Sequence, residues 1–477
     1  MTAEPAEEGR AAPAPGAASG GAGPGPARER AGTPSIWPLA GPTMLAFALQ
    51  ALVGFVSTVI VARLGSADAP EVGRNAVAAA SIAGQVHFVA FAVLAAVTIG
   101  TTALVARAVG AGDWREADRV LRCSTLAAAA LAAAMMAAAP FAERLVGAFG
   151  VAPEVSLLGG RYLRILLWFN VPMAVGLVLS SGLRGAGDVR LPLAIGALMN
   201  LVNVFGHWVL VFGHLGAPRL ATDGSAIATG VSFLVGALIY VALWQRNVLA
   251  VERGPWLDGI SRERVWRIVR IGLPTAVEQF AWQIGLFLFL RIVAGFGTEP
   301  VAAYMIGVRI LSFSFVPGLG FSTAASTLVG QHLGAGDPRG ASRSGWRCTL
   351  AAMGVMSVAG LSIIGLAPTV AGWFGATGAD TVRLTVLFIY VLGAAQPLMA
   401  MEYALGGALR GAGDTRFPLF AILTGLFGFR LAGSALVRFV FEGGVVAVWC
   451  CLLADYLVKA SLLAWRFASG RWQHVRL

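Results

Sequence analysis

Arg184-Gly185-Ala186-Gly187-Asp188 recurs as Arg410-Gly411-Ala412-Gly413-Asp414, and each copy runs on to a proline, Pro192 or Pro418, that opens an apolar stretch. The duplication reaches beyond these five residues. Val109-Gly110-Ala111-Gly112-Asp113 matches Leu333-Gly334-Ala335-Gly336-Asp337, and Arg122-Cys123 matches Arg347-Cys348, at separations that agree to within a residue or two. One module is therefore written twice along the chain.

The composition says what solvent that module meets. Of 477 residues, 57% are hydrophobic and 12% charged, too few charges to cover a water-soluble globule of this size. Apolar blocks long enough to cross a ~30 Å hydrocarbon core recur about twelve times, near 37–63, 76–104, 120–147, 157–182, 191–214, 223–245, 267–295, 300–328, 346–374, 381–408, 417–440 and 444–467. Tracts such as 126–140 and 280–290 are apolar all round rather than alternating, which excludes a transmembrane β-barrel. The expected fold is an all-α integral membrane protein of about twelve transmembrane helices in two homologous six-helix bundles, 36–245 and 267–468. Residues 1–35 are Ala, Gly and Pro with scattered charges and lack the apolar core of a signal peptide; they read as a disordered cytoplasmic tail. A basic linker, 246–266, joins the bundles, and 469–477 forms a second cytoplasmic tail.

A net charge of +11 raises the question of nucleic acid, but the basic residues are almost all arginine, Lys459 being the only lysine, and no basic domain gathers them. They sort by membrane side instead. The linker and its edge carry Arg246, Arg253, Arg262, Arg264, Arg267 and Arg270, which sets both termini on the cytoplasmic face of the plasma membrane. Cys123, Cys348, Cys450 and Cys451 form neither a disulfide framework nor a zinc spacing, and no cofactor is expected. The spans hold no Ser/His/Asp, His-Glu-x-x-His or paired-Asp constellation, and no phosphate-binding glycine loop occurs, so an enzyme is not expected.

Each Arg-Gly-Ala-Gly-Asp copy falls where an even-numbered span returns to the cytoplasm. The glycines allow a turn closed to larger residues. Arg184 and Arg410 are expected at the inner surface, complementing the helix dipole, with Asp188 and Asp414 meeting free amides of the next helix.

The doubled Leu-Arg-Gly-Ala-Gly-Asp-x-Arg-x-Pro, the Gly-Ala-Gly-Asp after spans two and eight, the stretch 314–321 (Ser-Phe-Val-Pro-Gly-Leu-Gly-Phe) and the ending 448–472 resemble the multidrug and toxic compound extrusion (MATE) family. The resemblance implies two six-helix bundles around a central cavity that exchange H+ or Na+ for organic cations and other amphiphiles.

Acidic residues inside spans are costly, so each needs a reason. Glu278 lies one turn after Pro274, about 12 Å from the cytoplasmic end, and Glu402 lies eight residues before Arg410 at a similar depth. Both are candidate coupling carboxylates, with pairing to a nearby Arg as the competing structural role. Asp455 and Lys459, four apart, read as an intrahelical pair. Where many relatives carry Gly-Phe-Val-Asp-Thr this chain has Gly54-Phe55-Val56-Ser57-Thr58, and where they carry Asn-x-x-Asn-x-x-x-Asp it has Asn200, Asn203 and His207. A sodium site built of Asp is thereby disfavoured, and His207 with Asn203 joins the candidate coupling set. Gln50, Asn200, Gln283, Tyr304 and Met305 are the expected cargo-cavity residues. Together these give a monomeric antiporter that exports amphiphilic organic cations, drugs or metabolites in exchange for H+ or, second, Na+. The alternative is a flippase for lipid-linked precursors.

Overall fold

The computed structural model describes residues 35–64, 70–246, 260–373 and 378–475. The expected amino-terminal tail, except its last residue, and residues 247–259 of the linker lie outside them. The first lobe comprises α1 (Ile36–Ala62), α2 (Pro70–Gly110), α3 (Trp114–Met136), the short α4 (Ala142–Gly147), α5 (Pro153–Trp168), α6 (Asn170–Gly185), α7 (Arg190–Phe212) and α8 (Ala221–Gln245). The second repeats the plan with α9 (Arg262–Ala294), α10 (Thr298–Gly334), α11 (Pro338–Gly365), α12 (Ala367–Trp373), α13 (Ala379–Gly411), α14 (Arg416–Leu423), α15 (Ala432–Phe439) and α16 (Val445–Ala468). Among the described residues eleven helices are long and apolar enough to cross a membrane, and twelve when α5 and α6 count as one bent span.

Two departures from the uniform spans read in the sequence have local causes. The fourth span breaks at Phe169 into α5 and α6, bent by 52°. Pro172 has no N–H to give the carbonyl of Trp168, so the helix restarts there. In the eleventh span a π-helical segment, Thr424–Leu431, separates α14 from α15 and carries the buried Arg430. The helices also start and stop with capping chemistry. Asp113 accepts the Glu116 amide at 2.9 Å, and its repeat Asp337 accepts the Gly340 amide at 2.8 Å. That amide holds the Asp337 carboxyl below its ordinary range.

The described loops that close even-numbered spans lie at one end of the bundle, the turn end. There the lobes meet backbone to backbone: a Cβ on Gly110 would strike the carbonyl of Gln331, and one on Gly334 would strike that of Arg107. The two collisions are images of each other, since 107 and 110 stand to 331 and 334 as the Gly-Ala-Gly-Asp repeats stand to one another. Deeper in, Gly272 of α9 abuts the Ala96 carbonyl of α2, and Gly320 of α10 lies against Met44 and the Ala40 carbonyl of α1. Across the seam Thr327 donates to the Arg184 carbonyl and Gln331 to the Gly185 carbonyl, each at 3.0 Å. Arg264 forks onto Glu116 at 2.8 and 2.9 Å. The expected carboxyl-terminal tail is anchored: Trp472 is fully buried and stacked on Phe467, and the Val475 carbonyl accepts from Arg107 at 3.1 Å.

Candidate functional site

The first lobe holds a half-open cavity of about 760 Å³, lined along α1 from Thr43 to Val61 and by residues of α2, α5, α6, α7 and α8. Its wall is aromatic and amide-rich, with Phe47, Phe91, Phe233, Gln50 and Asn200 among its members. Among the described residues its wall has no Asp or Glu; the charged residue there is Arg184, with the titratable His87 in addition. Arg184 therefore faces inward, not to the membrane surface where the sequence placed it. Its Nη2 gives a 2.7 Å hydrogen bond to the Ser180 hydroxyl, its Nε reaches the Ser180 carbonyl at 3.3 Å, and the guanidinium lies 5.8 Å from the Phe47 ring.

The polar residues of α7 are brought together at this cavity, but they hold helices. Ser57 donates to Asn203 at 3.3 Å, and Asn203 donates to Thr229 at 3.3 Å. His207 is 1% exposed, with Nδ1 at 2.8 Å from the Asn203 carbonyl and Nε2 at 2.9 Å from the Ser225 hydroxyl. A carbonyl can only accept, so Nδ1 carries a proton, while the Ser225 hydroxyl is able to donate to Nε2 or accept from it. The neutral ring satisfies both partners and ties α7 to α8.

The other expected cavity residues fall elsewhere. Tyr304 is 3% exposed, packed between Phe289 and Phe388 in the core of the second lobe. Met305, beside it on α10, is exposed and lines no part of this cavity. Gln283 reaches across the seam to Gln85 at 3.4 Å. These assignments supposed one central chamber lined from both lobes, whereas this cavity belongs to the first lobe alone.

Glu278 and Glu402 are also absent from its wall. They belong to a buried charge network in the second lobe. Arg410 Nη2 meets Glu278 Oε1 at 2.5 Å. Lys459 Nζ lies 3.1 Å from Glu402 and 3.3 Å from Asp455, and Arg430 pairs with Asp455. Three carboxylates and three cations balance, as burial demands. The intrahelical Asp455–Lys459 pair is thus part of a wider set, and a lysine, Lys459, rather than the expected arginine, is the ion-pair partner of Glu402.

The two turns are tight and closely packed. Gly187 and Gly413 adopt φ of +94° and +87°, a left-handed conformation that disfavours side chains. Gly185 and Gly411 pack on the backbones of Thr102 and Ser326, respectively. Asp188 accepts the amides of Arg190 and Leu191, both at 3.1 Å. Asp414 differs, pairing with Arg466 of α16 at 2.8 Å.

A family model described as MatE matches residues 42–209 and again residues 274–436, one match in each lobe. This chain belongs to the MatE family. Each MatE match ends within the fifth span of its lobe, leaving α8 and α16 outside. A probable multidrug resistance protein NorM of Thermotoga maritima is 29% identical over 432 residues, covering 89% of this chain and 92% of the relative. Its counterpart in Bradyrhizobium diazoefficiens is 30% identical over 414 residues, covering 83% and 86%. Among solved structures, the outward-facing conformation of a multidrug resistance MATE family transporter superposes with a TM-score of 0.83 at 22% identity, covering 92% of this chain and 96% of that one. A Pyrococcus furiosus transporter of the MOP superfamily, described as having a binding pocket of reverse polarity, also gives 0.83 at 22% identity, over 91% and 96%. The likeness to these structures is one of fold: this MatE chain is a multi-pass helical membrane protein.

Proposed function

We propose that this protein is a monomeric exporter of the plasma membrane, both termini cytoplasmic, that carries amphiphilic small molecules in the first-lobe cavity and is driven by H+ through the second lobe. The observation that carries the reading is the division of labour between the lobes: a drug-sized, aromatic, amide-lined cavity without carboxylates in one, and a buried network of titratable groups in the other. The multidrug resistance names of the relatives support export as the direction. Arginines gathered at the turn end and its linker support a cytoplasmic turn end.

Glu278 gives the proton a mechanical consequence. Protonating it removes the charge that holds Arg410, the arginine of the second turn, so loss of the ion pair loosens α13 from α9. Ser57 and the neutral, doubly bonded His207 supply no carboxylate to the first lobe, which favours H+ taken up by Glu278 and Glu402 over a sodium site there. No further cofactor is invoked. The alternative reading, a flippase for lipid-linked precursors, would suit a wall with several cations for phosphates; one guanidinium in a cavity of about 760 Å³ suits smaller cargo better.

The test is transport in proteoliposomes with an imposed ΔpH or Na+ gradient. Uphill export should follow ΔpH. Uphill export driven by Na+ with pH clamped would overturn the proton assignment, and failure to move any amphiphile under either gradient would overturn the exporter reading.

A further inference from the structure

The two lobes are copies in which one half-buried arginine has a carboxylate and the other does not. Arg184 and Arg410 occupy the same position of the repeated motif. Arg410 is neutralised by Glu278 of α9. The equivalent helix of the first lobe is α1, and its register against α9 is fixed twice over. Both helices carry Pro-Thr, at 42–43 and 274–275. Their crossings also correspond: Ala40 of α1 meets Gly320 of α10, and Gly272 of α9 meets Ala96 of α2, so the offset is the same in sequence and in packing. In that register Glu278 corresponds to Ala46, which lines the cavity beside Phe47, the ring under the Arg184 guanidinium. A similar replacement occurs opposite Glu402. The motif register sets it against Gly176, another lining residue. The first lobe has lost both acids and kept the arginine.

Arg184 makes no ion pair among the described residues. Its hydrogen bonds there, both to Ser180, use Nε and one N–H of Nη2, leaving donors of its planar fork for the cavity it lines. A half-buried guanidinium in a wall otherwise aromatic and neutral is half of a charge-assisted pair.

We infer that the first-lobe cavity binds amphiphilic anions, an aromatic or alkyl body against the Phe-rich wall with a carboxylate, sulfonate or phosphate on Arg184. This rests on the reading of that cavity as the cargo site, and it replaces the organic-cation cargo expected while Glu278 and Glu402 were taken to face the cargo. A cation there would meet an uncompensated like charge; an anion completes what Ala46 leaves open. The same chemistry is shared by soluble organic acids and by anionic lipid headgroups.

The experiment uses the full chain in nanodiscs and three probes that share one ring system: naphthalene-2-sulfonate, 2-naphthol and a naphthyl trimethylammonium. Binding is read by calorimetry in phosphatidylcholine discs. The sulfonate should bind roughly tenfold or more tighter than the ammonium. Arg184→Gln should remove that preference while leaving 2-naphthol affinity within about twofold, which also reports that the cavity is intact. Ala46→Glu, which rebuilds the second-lobe pair in the first lobe, should weaken the sulfonate to a similar degree with Arg184 still present. Repeating the titration in phosphatidylglycerol discs separates the sources: competition by that lipid assigns the site to headgroups, and unchanged sulfonate affinity assigns it to soluble acids.

An ammonium that binds as tightly as the sulfonate overturns the inference while leaving the cargo-cavity reading standing. If none of the three probes binds, both fall. Should Arg184→Gln fail to fold, the ranking in the unmodified protein and the effect of Ala46→Glu still decide.

Discussion

Glu278 shows what a single side chain does here and how much of it could be read in advance. Its depth in the membrane follows from counting residues after Pro274, but its partner does not, because Arg410 is 132 residues away and its side chain reaches Glu278 only once the second lobe is folded. Removing one member of such a pair strands the other, at about 3–5 kcal/mol. Glu278→Gln should therefore lower thermal stability and abolish ΔpH-driven transport. Glu278→Gln with Arg410→Gln should recover much of the stability without the transport. If the double variant regains both, the pair is only a tie between helices. His207 is the contrary case: an intramembrane histidine invites a titration, yet both ring nitrogens are engaged in the neutral state. His207→Ala should cost about 1–3 kcal/mol of stability and leave the pH profile of transport where it was. A displaced profile would show that the ring titrates during the cycle.

The helices themselves were legible, since hydropathy and the doubled motif locate all twelve spans, but their ends and irregularities were only partly so. α2 runs to Gly110 and α10 to Gly334, nearly two turns past the apolar blocks, because the residues there face the opposite lobe and not lipid. Pro172 signalled the break at Phe169; the π-helical segment at 424–431 has no comparable signal, and Arg430 takes its place in the charge network from within it. The turn glycines were legible because only a left-handed residue closes that loop. At Gly413, with φ +87°, valine forces a β-branched side chain into a region that costs upwards of ~1–2 kcal/mol. Gly413→Val should slow turnover and lower the melting temperature while the ranking of cargoes stays the same. A changed ranking at normal turnover would put this turn in contact with cargo.

At the level of the whole molecule the lobes are closed on each other at the turn end, and the tightest points are Gly110 against Gln331 and Gly334 against Arg107. Any side chain there forces the seam apart. Gly110→Leu or Gly334→Leu should shift the population toward a state open at that end and stop transport. Spin labels at Arg115→Cys and Arg339→Cys, exposed sites in the first turns of α3 and α11, would report a longer distance by double electron–electron resonance, with Cys450 and Cys451 replaced by Ser. An unchanged distance would mean that the seam repacks locally. The pseudo-twofold relation that makes these two glycines equivalent was visible in the repeated Gly-Ala-Gly-Asp. That they touch across the lobes was not, since nothing in either copy says which face of α2 meets α10.

Half of the alanine codons lie a single base from a glutamate codon, and Ala46 stands where its twin in the other lobe is Glu278. The positive charge of the first-lobe cavity is thus one point mutation from neutralisation, by the same pairing that neutralises Arg410 in the second lobe. One substitution there removes the preference for acids while the fold stays as it is. Sequence identity between two relatives is then a poor measure of whether they share a cargo, and the residue at this one site is a better one.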